Sequence, residues 1–274
     1  MKPKGDRRRL VYVLLVAILV GTVVIPLSAA RAACGEQNGQ WVSVSGPNFG
    51  DGPQAIVAFA IDSRNPRRMF ASNGPTVMRS QDGGCSWRES LVVAEETSFQ
   101  RPVGEPPRVK SIAIPEGNGA RVYLLLEEQV GPATRPHVMV SANGGNSWTV
   151  SDTALPPLGT PGLLRAAPSN PAVAYLTVDV AGASDALFAT QDGGGSWQLR
   201  SRVPTGGLID MKIDPLDAQN IWLGGATGLF HSTDGGLQFE AIPQFADAPA
   251  GPIDVFHGPK GPARLFVFSS AGPS

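Results

Sequence analysis

The chain has 274 residues, of which 33 are Gly and 25 Pro, roughly a fifth together, while 16% are charged and 42% hydrophobic. Gly and Pro punctuate helices, so this composition excludes a helical bundle, and the apolar content excludes a disordered chain. The formal net charge of −1 supplies no general basic surface for nucleic acid.

Residues 1–33 read as an address rather than as fold. Lys2, Lys4, Arg7, Arg8 and Arg9 precede an apolar run from Leu10 to Leu27, and Ala30-Arg31-Ala32 fits a small-x-small cleavage site. Two readings stand, a cleaved signal peptide and an uncleaved N-terminal membrane anchor. The run is long for the first and near the lower limit for the second. Arg31 stands where a lipoprotein signal needs Leu, which removes a lipid anchor on Cys34. Either reading makes residues 34–274 extracytoplasmic, touching a membrane only through the N-terminal segment. Those residues keep 16 basic against 22 acidic side chains, net −6, so nucleic acid and anionic membrane surfaces are poor partners. An oxidising compartment would permit a bond between Cys34 and Cys85. Two Cys and three scattered His form no metal site of recognisable spacing, and no cofactor motif occurs.

Gln40–Val44, led by Trp41, reads as a lone strand within residues 40–45. A unit over about 54–93 follows, with strand-like runs at Ile56–Asp62, Arg68–Ala71 and Thr76–Arg79, then the box SQDGGCSW at Ser80–Trp87. The second unit, about 108–152, repeats this with Val109–Pro115, Val122–Leu125, His137–Val140 and SANGGNSW at Ser141–Trp148. The third, about 162–200, has Leu163–Pro168, Ala174–Thr177, Ala186–Ala189 and TQDGGGSW at Thr190–Trp197. The fourth, about 207–243, has Leu208–Pro215, Ile221–Gly224, Gly228–His231 and STDGGLQF at Ser232–Phe239. After each box the aromatic residue opens a fourth run. A partial fifth unit, 251–274, offers Ile253–His257 and Arg264–Ser269. Four short strands per unit of about 45 residues is the size of a propeller blade. The fold class expected is all-β, a β-propeller of four-stranded antiparallel blades. Residues 40–45 would be its closing strand, and the short count means either a truncated chain or an open, small propeller. Leu265-Phe266-Val267-Phe268 would be a hazardous edge unless paired.

Within each box the chemistry is that of a turn between third and fourth strands. Asp82, Asn143, Asp192 and Asp234 can accept backbone N–H bonds ahead of them, and Ser80, Ser141, Thr190 and Ser232 can add a local bond. Gly84, Gly145, Gly194 and Gly236, each preceded by another Gly, can take positive φ. Trp87, Trp148, Trp197 and Phe239 offer an apolar surface to seal one sheet on another. On these residues the chain resembles the Asp-box (bacterial neuraminidase repeat) propellers over about residues 41–274. Sialidases, sortilin-type propellers, some glycoside hydrolases and the photosystem II stability and assembly factors share the motif. Asn143 in the second box, and Gln238 and Phe239 in the fourth, depart from it. The resemblance implies a propeller scaffold and leaves the function open.

Sialidase chemistry needs an arginine cluster and a Tyr–Glu pair; Tyr123 and Tyr175 hold the same second-strand position, which marks them as packing. Ser201-Arg202-Val203-Pro204 comes near an Arg-Ile-Pro signature but follows the third box and reads as a loop. A xyloglucanase-like or other glycoside hydrolase needs two carboxylates facing across a sugar. Aligning first strands gives one channel column, Ala58, Ser111, Arg165, Asp210 and Asp254. Arg165, Asp210 and Asp254 are therefore the catalytic candidates, against a plain polar channel lining. Asp62 and Asp214 read as turn residues, and Glu95-Glu96 and Glu127-Glu128 as solvated surface or a weak Ca²⁺ contact. The long loop Val93–Arg108 is a plausible face for a partner. The reading favoured is a non-catalytic binding or assembly module that takes a protein or glycan on a propeller face or in the channel. A glycoside hydrolase lacking its C-terminal blades is the alternative.

Overall fold

The computed structural model describes residues 46–96, 99, 105–116, 118–180, 185–257 and 263–269. The chain divides into two compact units, Met1–Ser45 and Gly46–Ser274, and the second contains all of these residues. Residues 1–33, Cys34 and the strand at 40–45 lie outside the described residues, as do much of the loop tip at 97–104 and the last residues, 270–274. Cys85 is disulfide-bonded. No helix among the described residues is long and apolar enough to cross a membrane.

The unit is all-β. The first sheet comprises β1 (Ala58–Ile61), β2 (Met69–Ser72), β3 (Thr76–Ser80) and β4 (Arg88–Val92). The second comprises β5 (Arg108–Ala113), β6 (Val122–Val130), β7 (Ala133–Ser141) and β8 (Thr149–Val150). In the third are β9 (Thr160–Ala166), β10 (Ala174–Asp179), β11 (Ala186–Thr190) and β12 (Gln198–Arg202). The fourth holds β13 (Leu208–Ile213), β14 (Ile221–Gly225), β15 (Gly228–Ser232) and β16 (Glu240–Ala241). A fifth sheet pairs β17 (Ala250–His257) with β18 (Ala263–Ser269). Every sheet is an antiparallel meander whose strands lie in chain order. The first strands β1, β5, β9, β13 and β17 neighbour one another in succession. Four-stranded meanders set side by side on their first strands are the blades of a β-propeller, here four whole blades and two strands of another among the described residues.

Apolar side chains of adjacent sheets make the core between them. Phe70 and Val77 pack with Val122, Leu124 and Met139 of the second sheet. Tyr123, Leu125 and Val138 pack with Leu176, Phe188 and Trp197 of the third. Tyr175 and Leu187 pack with Met211, Ile221 and Leu223 of the fourth, and Trp222 and Leu229 with Ile253 and Val255 of the fifth.

Three local differences from the sequence reading have clear causes. The fourth strands begin one residue after each aromatic, at Arg88, Thr149, Gln198 and Glu240, because the aromatic belongs to the turn. Ser201 and Arg202 extend β12 rather than forming a loop, since Leu187 and Ala186 of β11 pair with them. The hairpin β6–β7 runs nine residues on each side, far past the four expected, because alternate residues keep pairing as far as Val130 and Ala133.

Candidate functional site

The box turns share one bonding plan. Ser80 Oγ donates to Asp82 Oδ1 at 2.8 Å and accepts from Gly84 N at 2.8 Å, while Ser86 N donates to Asp82 Oδ1 at 2.8 Å. Thr190, Asp192, Gly194 and Ser196 repeat this at 2.8, 2.8 and 2.9 Å. In the second box Ser141, Asn143 and Gly145 hold the same backbone contacts, and Asn143 Nδ2 donates to Ser147 Oγ where an Asp would accept. The fourth box has Gln238 in place of the hydroxyl residue; Ser232, Asp234 and Gly236 keep the rest, with Leu237 N and Gln238 N donating to Asp234 Oδ1. Donors from within each turn hold Asp82, Asp192 and Asp234 in the charged form. Asp192 is held down to about 2 by the N–H and hydroxyl of Ser196 and the hydroxyl of Thr190. Burial would raise Asp82 and Asp234, yet bonds from Ser86 and Ser80, and from Gln238 and Ser232, hold both below the usual carboxylate range. An acid that stays ionised with its lone pairs occupied is a turn brace, not a proton donor.

The second, third and fourth boxes are also fastened to the blade before them, through residues outside the motif. Ser90 Oγ donates to Gly145 O at 2.7 Å and Ser201 Oγ to Gly236 O at 2.7 Å; Ser151 Oγ donates to Gly194 O. Arginines of the preceding blade add a second bond: Arg79 to Gly144 O, Arg121 to Gly193 O and Arg200 to Gly235 O, at 2.8, 2.8 and 2.9 Å. Trp148 and Trp197 return bonds to Ser90 and Ser151, and each sits edge-on to a ring of the earlier blade, Phe70 or Tyr123. Phe239 packs against the core between the third and fourth sheets. Trp87 Nε1 instead donates to Gly84 O within its own box. Tyr123 Oη and Tyr175 Oη reach forward to Pro171 O and Ala218 O of the next blade at 2.8 and 2.9 Å, and burial pushes both up to about 12. The sequence held one signal for these staples: Ser90 and Ser151 follow Ser80 and Ser141 at equal spacing.

The channel column resolves into two alternating rows. Arg165 lies opposite Tyr175, as Lys212 lies opposite Trp222, whereas Asp210 lies opposite Gly224. Arg165 therefore shares the register of Lys212 and not that of Asp210. Arg165 and Lys212 stand three residues before Pro168 and Pro215, which close the two runs, whereas Asp210 stands five before. Arg165 pairs with Asp210 at 3.0 Å, and Lys212 with Asp254 at 3.5 Å, so each acid meets a cation from the blade before. Asp210 also accepts from Met211 N and, across the blade gap, from Ile253 N. Asp254 accepts from Val255 N and is largely exposed. Ala58 and Ser111 carry no charge to this row. Asp62 and Asp214 brace their turns by accepting from Arg64 and Asn65 and from Leu216 and Asp217. Asp214 further takes both contacts of His257 Nε2, at 2.8 and 2.9 Å.

The antiparallel meander places the boxes and the first-to-second-strand turns at one end of the blades. The second-to-third-strand turns and the blade connections lie at the other. There the long β6–β7 hairpin rises and is tied down into a lobe. Gly159 N donates to Thr134 O at 2.8 Å, and Arg135 Nε to Pro157 O at 3.0 Å. His137 on β7 is mostly buried between Asp152 Oδ2 at 2.5 Å and Glu128 Oε2 at 3.1 Å, with Phe99 edge-on to its ring at 5.0 Å. Burial disfavours the charged ring, but bonds to Asp152 and Glu128 outweigh it and raise the His137 pKa above 6.5. Both ring nitrogens then act as donors. Glu128 also meets Arg135 at 3.4 Å and Glu127 meets Lys110 at 3.3 Å, so this doublet is paired rather than merely solvated. Beside the lobe is a groove of about 510 Å³ lined by Glu105, Pro106, Arg108, Glu127 and Gln129. No cluster of His, Cys, Asp and Glu suited to a metal occurs among the described residues.

No protein-family model and no curated protein matches the chain. Among solved structures, an ancestral GH74 enzyme aligns with a TM-score of 0.50 at 21% identity, over 74% of this chain and 26% of its own. The GH74 enzyme of Niastella koreensis aligns with a TM-score of 0.53 at 18% identity, over 85% of this chain and 37% of its own. YCF48 from Cyanidioschyzon merolae aligns with a TM-score of 0.40 at 15% identity, over 78% of this chain and 92% of its own. The chain thus spans between about a quarter and just over a third of the length of the two GH74 enzymes. The likeness to them is one of fold, the β-propeller.

Proposed function

We propose that the chain is an Asp-box β-propeller working outside the cytoplasm as a non-catalytic binding or assembly module, with a protein partner docking on the lobe built around β6–β7. The channel carries the argument against chemistry. Hydrolysis of a glycoside needs two carboxylates free to face each other across the bond. Asp210 is spent on Arg165 and two backbone N–H groups, and Asp254 on Lys212 and its own strand. The basic start and apolar run of residues 1–33, together with a disulfide-bonded Cys85, support export. The lobe is the place where one blade departs from the repeat, with exposed charged groups of both signs beside a groove, which suits a polar protein surface better than a sugar ring.

The test uses the full chain. It should release no product from aryl glycosides or xyloglucan; turnover lost in Asp210→Asn or Asp254→Asn would overturn the reading. A photoreactive residue placed at Gln129 should capture one discrete protein in the native host. The same probe at Leu216, on the box end, should not, and equal capture at both positions would remove the lobe from the proposal.

A further inference from the structure

We infer that the lobe is a proton-operated clamp: His137 fastens the connection after β8 to the β6–β7 hairpin while both ring nitrogens carry protons, and the connection comes loose when one proton leaves. The consequence, release of a docked partner, rests on the docking reading above.

The ring stands where the other whole blades have nothing that titrates. Aligned on the pairs Phe70–Arg79, Tyr123–Val140, Tyr175–Ala189 and Trp222–His231, the place of His137 is held by Thr76, Ala186 and Gly228. Nδ1 meets Asp152 Oδ2 at 2.5 Å and Nε2 meets Glu128 Oε2 at 3.1 Å. Glu128 belongs to β6 and Asp152 to the connection between β8 and β9, so the ring bridges two segments besides its own strand. An ionised carboxylate only accepts, so both contacts are hydrogen bonds only when both nitrogens donate. The side chain is 10% exposed, with Phe99 edge-on, which leaves little room for water to replace a lost donor.

The charges around the ring are few among the described residues. Glu128 faces it from β6 and Asp152 from the connection. Arg135 of β7 pairs with Glu128, and Glu127 of β6 is turned to Lys110 of β5. Phe99, from the loop before β5, brings no charge. With the ring charged, His137, Arg135, Glu128 and Asp152 balance; without its proton the group is left at net −1.

A neutral ring keeps one N–H. Whichever carboxylate retains it, the other faces a bare nitrogen lone pair at hydrogen-bond distance, acceptor against acceptor in a largely buried contact. The two sides of the clamp are unequally held. β6 is laddered to β7 from Val122 to Val130, whereas the bonds that tie the connection to β7 include only three backbone carbonyl contacts: Ser151 N to Val138 O, Gly159 N to Thr134 O and Arg135 Nε to Pro157 O. The connection is therefore the side that yields. The two carboxylates raise the ring above its ordinary value of about 6.5, so the clamp is closed below that value and opens as pH rises through the higher folded one.

Hydrogen exchange of the full chain, followed across the titration of His137 as read from its ring NMR signals, tests the clamp. After correction for intrinsic rates, protection of the Ser151 and Gly159 amides should fall about tenfold or more as the ring loses its proton, the loss expected for one hydrogen bond to a charged group. Leu124, in the middle of the ladder, should keep its protection. His137→Phe has no donor and should leave the connection fast-exchanging at every pH. Asp152→Asn should do the opposite: its amide can donate to a neutral Nδ1 while Nε2–H serves Glu128, so the connection should stay protected on both sides of the titration. Wild-type protection that does not follow the ring overturns the inference, and so does an Asp152→Asn chain that opens with pH as the wild type does. Capture through Gln129 reads docking separately; it should fall with the ring's proton in the wild type and persist in Asp152→Asn. Capture absent at every pH, with protection still following the ring, removes the docking reading and upholds the clamp.

Discussion

Gly144→Ala and Gly145→Ala separate two reasons for the paired glycines of the box. Both residues have positive φ, +69° and +78°. The left-handed backbone alone costs an L side chain roughly 1–2 kcal/mol. A Cβ on Gly144 would meet nothing closer than Gly119 O at 3.3 Å, so little more is added. A Cβ on Gly145 would stand 2.6 Å from Ser90 Oγ and 2.7 Å from Phe70 Cε1. Phe70 is fully buried and edge-on to Trp148, and its ring has no room to retreat. Overpacking of this kind costs about 1–3 kcal/mol. Gly144→Ala should thus cost about 1–2 kcal/mol and Gly145→Ala about 2–5 kcal/mol. A gap of about 2 kcal/mol is on the order of 4–8 °C in Tm for a unit of this size. Thermal unfolding followed by circular dichroism reads it. Equal losses in the two variants would refute the argument, leaving turn conformation as the whole reason for both glycines.

Tyr123→Phe or Tyr175→Phe should each cost about 1 kcal/mol, since each removes one cross-blade bond to a buried carbonyl; urea unfolding measures it. Because both phenols are pushed up to about 12, the native chain holds protons there that the unfolded chain sheds from about pH 10. Stability should therefore fall between these values, as alkaline melts can show. For His137 the raised pKa means a stabilisation complete below about pH 6.5 and lost as pH rises through the folded value. His137→Phe should flatten that dependence; an unchanged pH profile would show that Asp152, Glu128 and Arg135 hold the lobe without the ring's charge. Asp210→Asn should destabilise by about 1–3 kcal/mol, as it weakens bonds to Arg165 and to Ile253 N together, and a Tm equal to wild type would count against the column as a blade-to-blade brace.

The blade design was legible because turn chemistry is local. Ser, Asp, Gly-Gly and Trp at fixed spacing act on one another within eight positions, and strand positions follow from where the boxes stop them. The channel was less legible, because the register of a first strand is set by its pairing with the second strand and not by where its apolar run starts: β9 begins at Thr160, ahead of the run at Leu163, and Arg165 pairs with Tyr175, two places from the row of Asp210. The staples were hidden for another reason. Ser90, Ser151 and Ser201 look like ordinary strand serines until the next blade brings Gly145, Gly194 and Gly236 carbonyls within reach. The lobe was invisible in the same way, since His137, Glu128 and Asp152 come from separate strands and a connection.

Where the repeat is kept, its polar groups are already employed. The box acids brace turns, the box carbonyls take the previous blade's serines and arginines, and the channel acids take its cations. A surface whose donors and acceptors are paired internally has little left for a ligand, which is why repetition here signals scaffold. On the proposed reading, recognition comes from departures. The hairpin of the second blade is one, with nine residues on each strand, a histidine clamp and mixed charges. It offers charge and a groove to a polar partner. The channel brace lies on other strands, so a change confined to Asp210 should leave the lobe's interaction intact. Asp210→Asn should thus lower Tm yet preserve capture through Gln129, and loss of capture in a folded Asp210→Asn would refute the separation of scaffold from recognition.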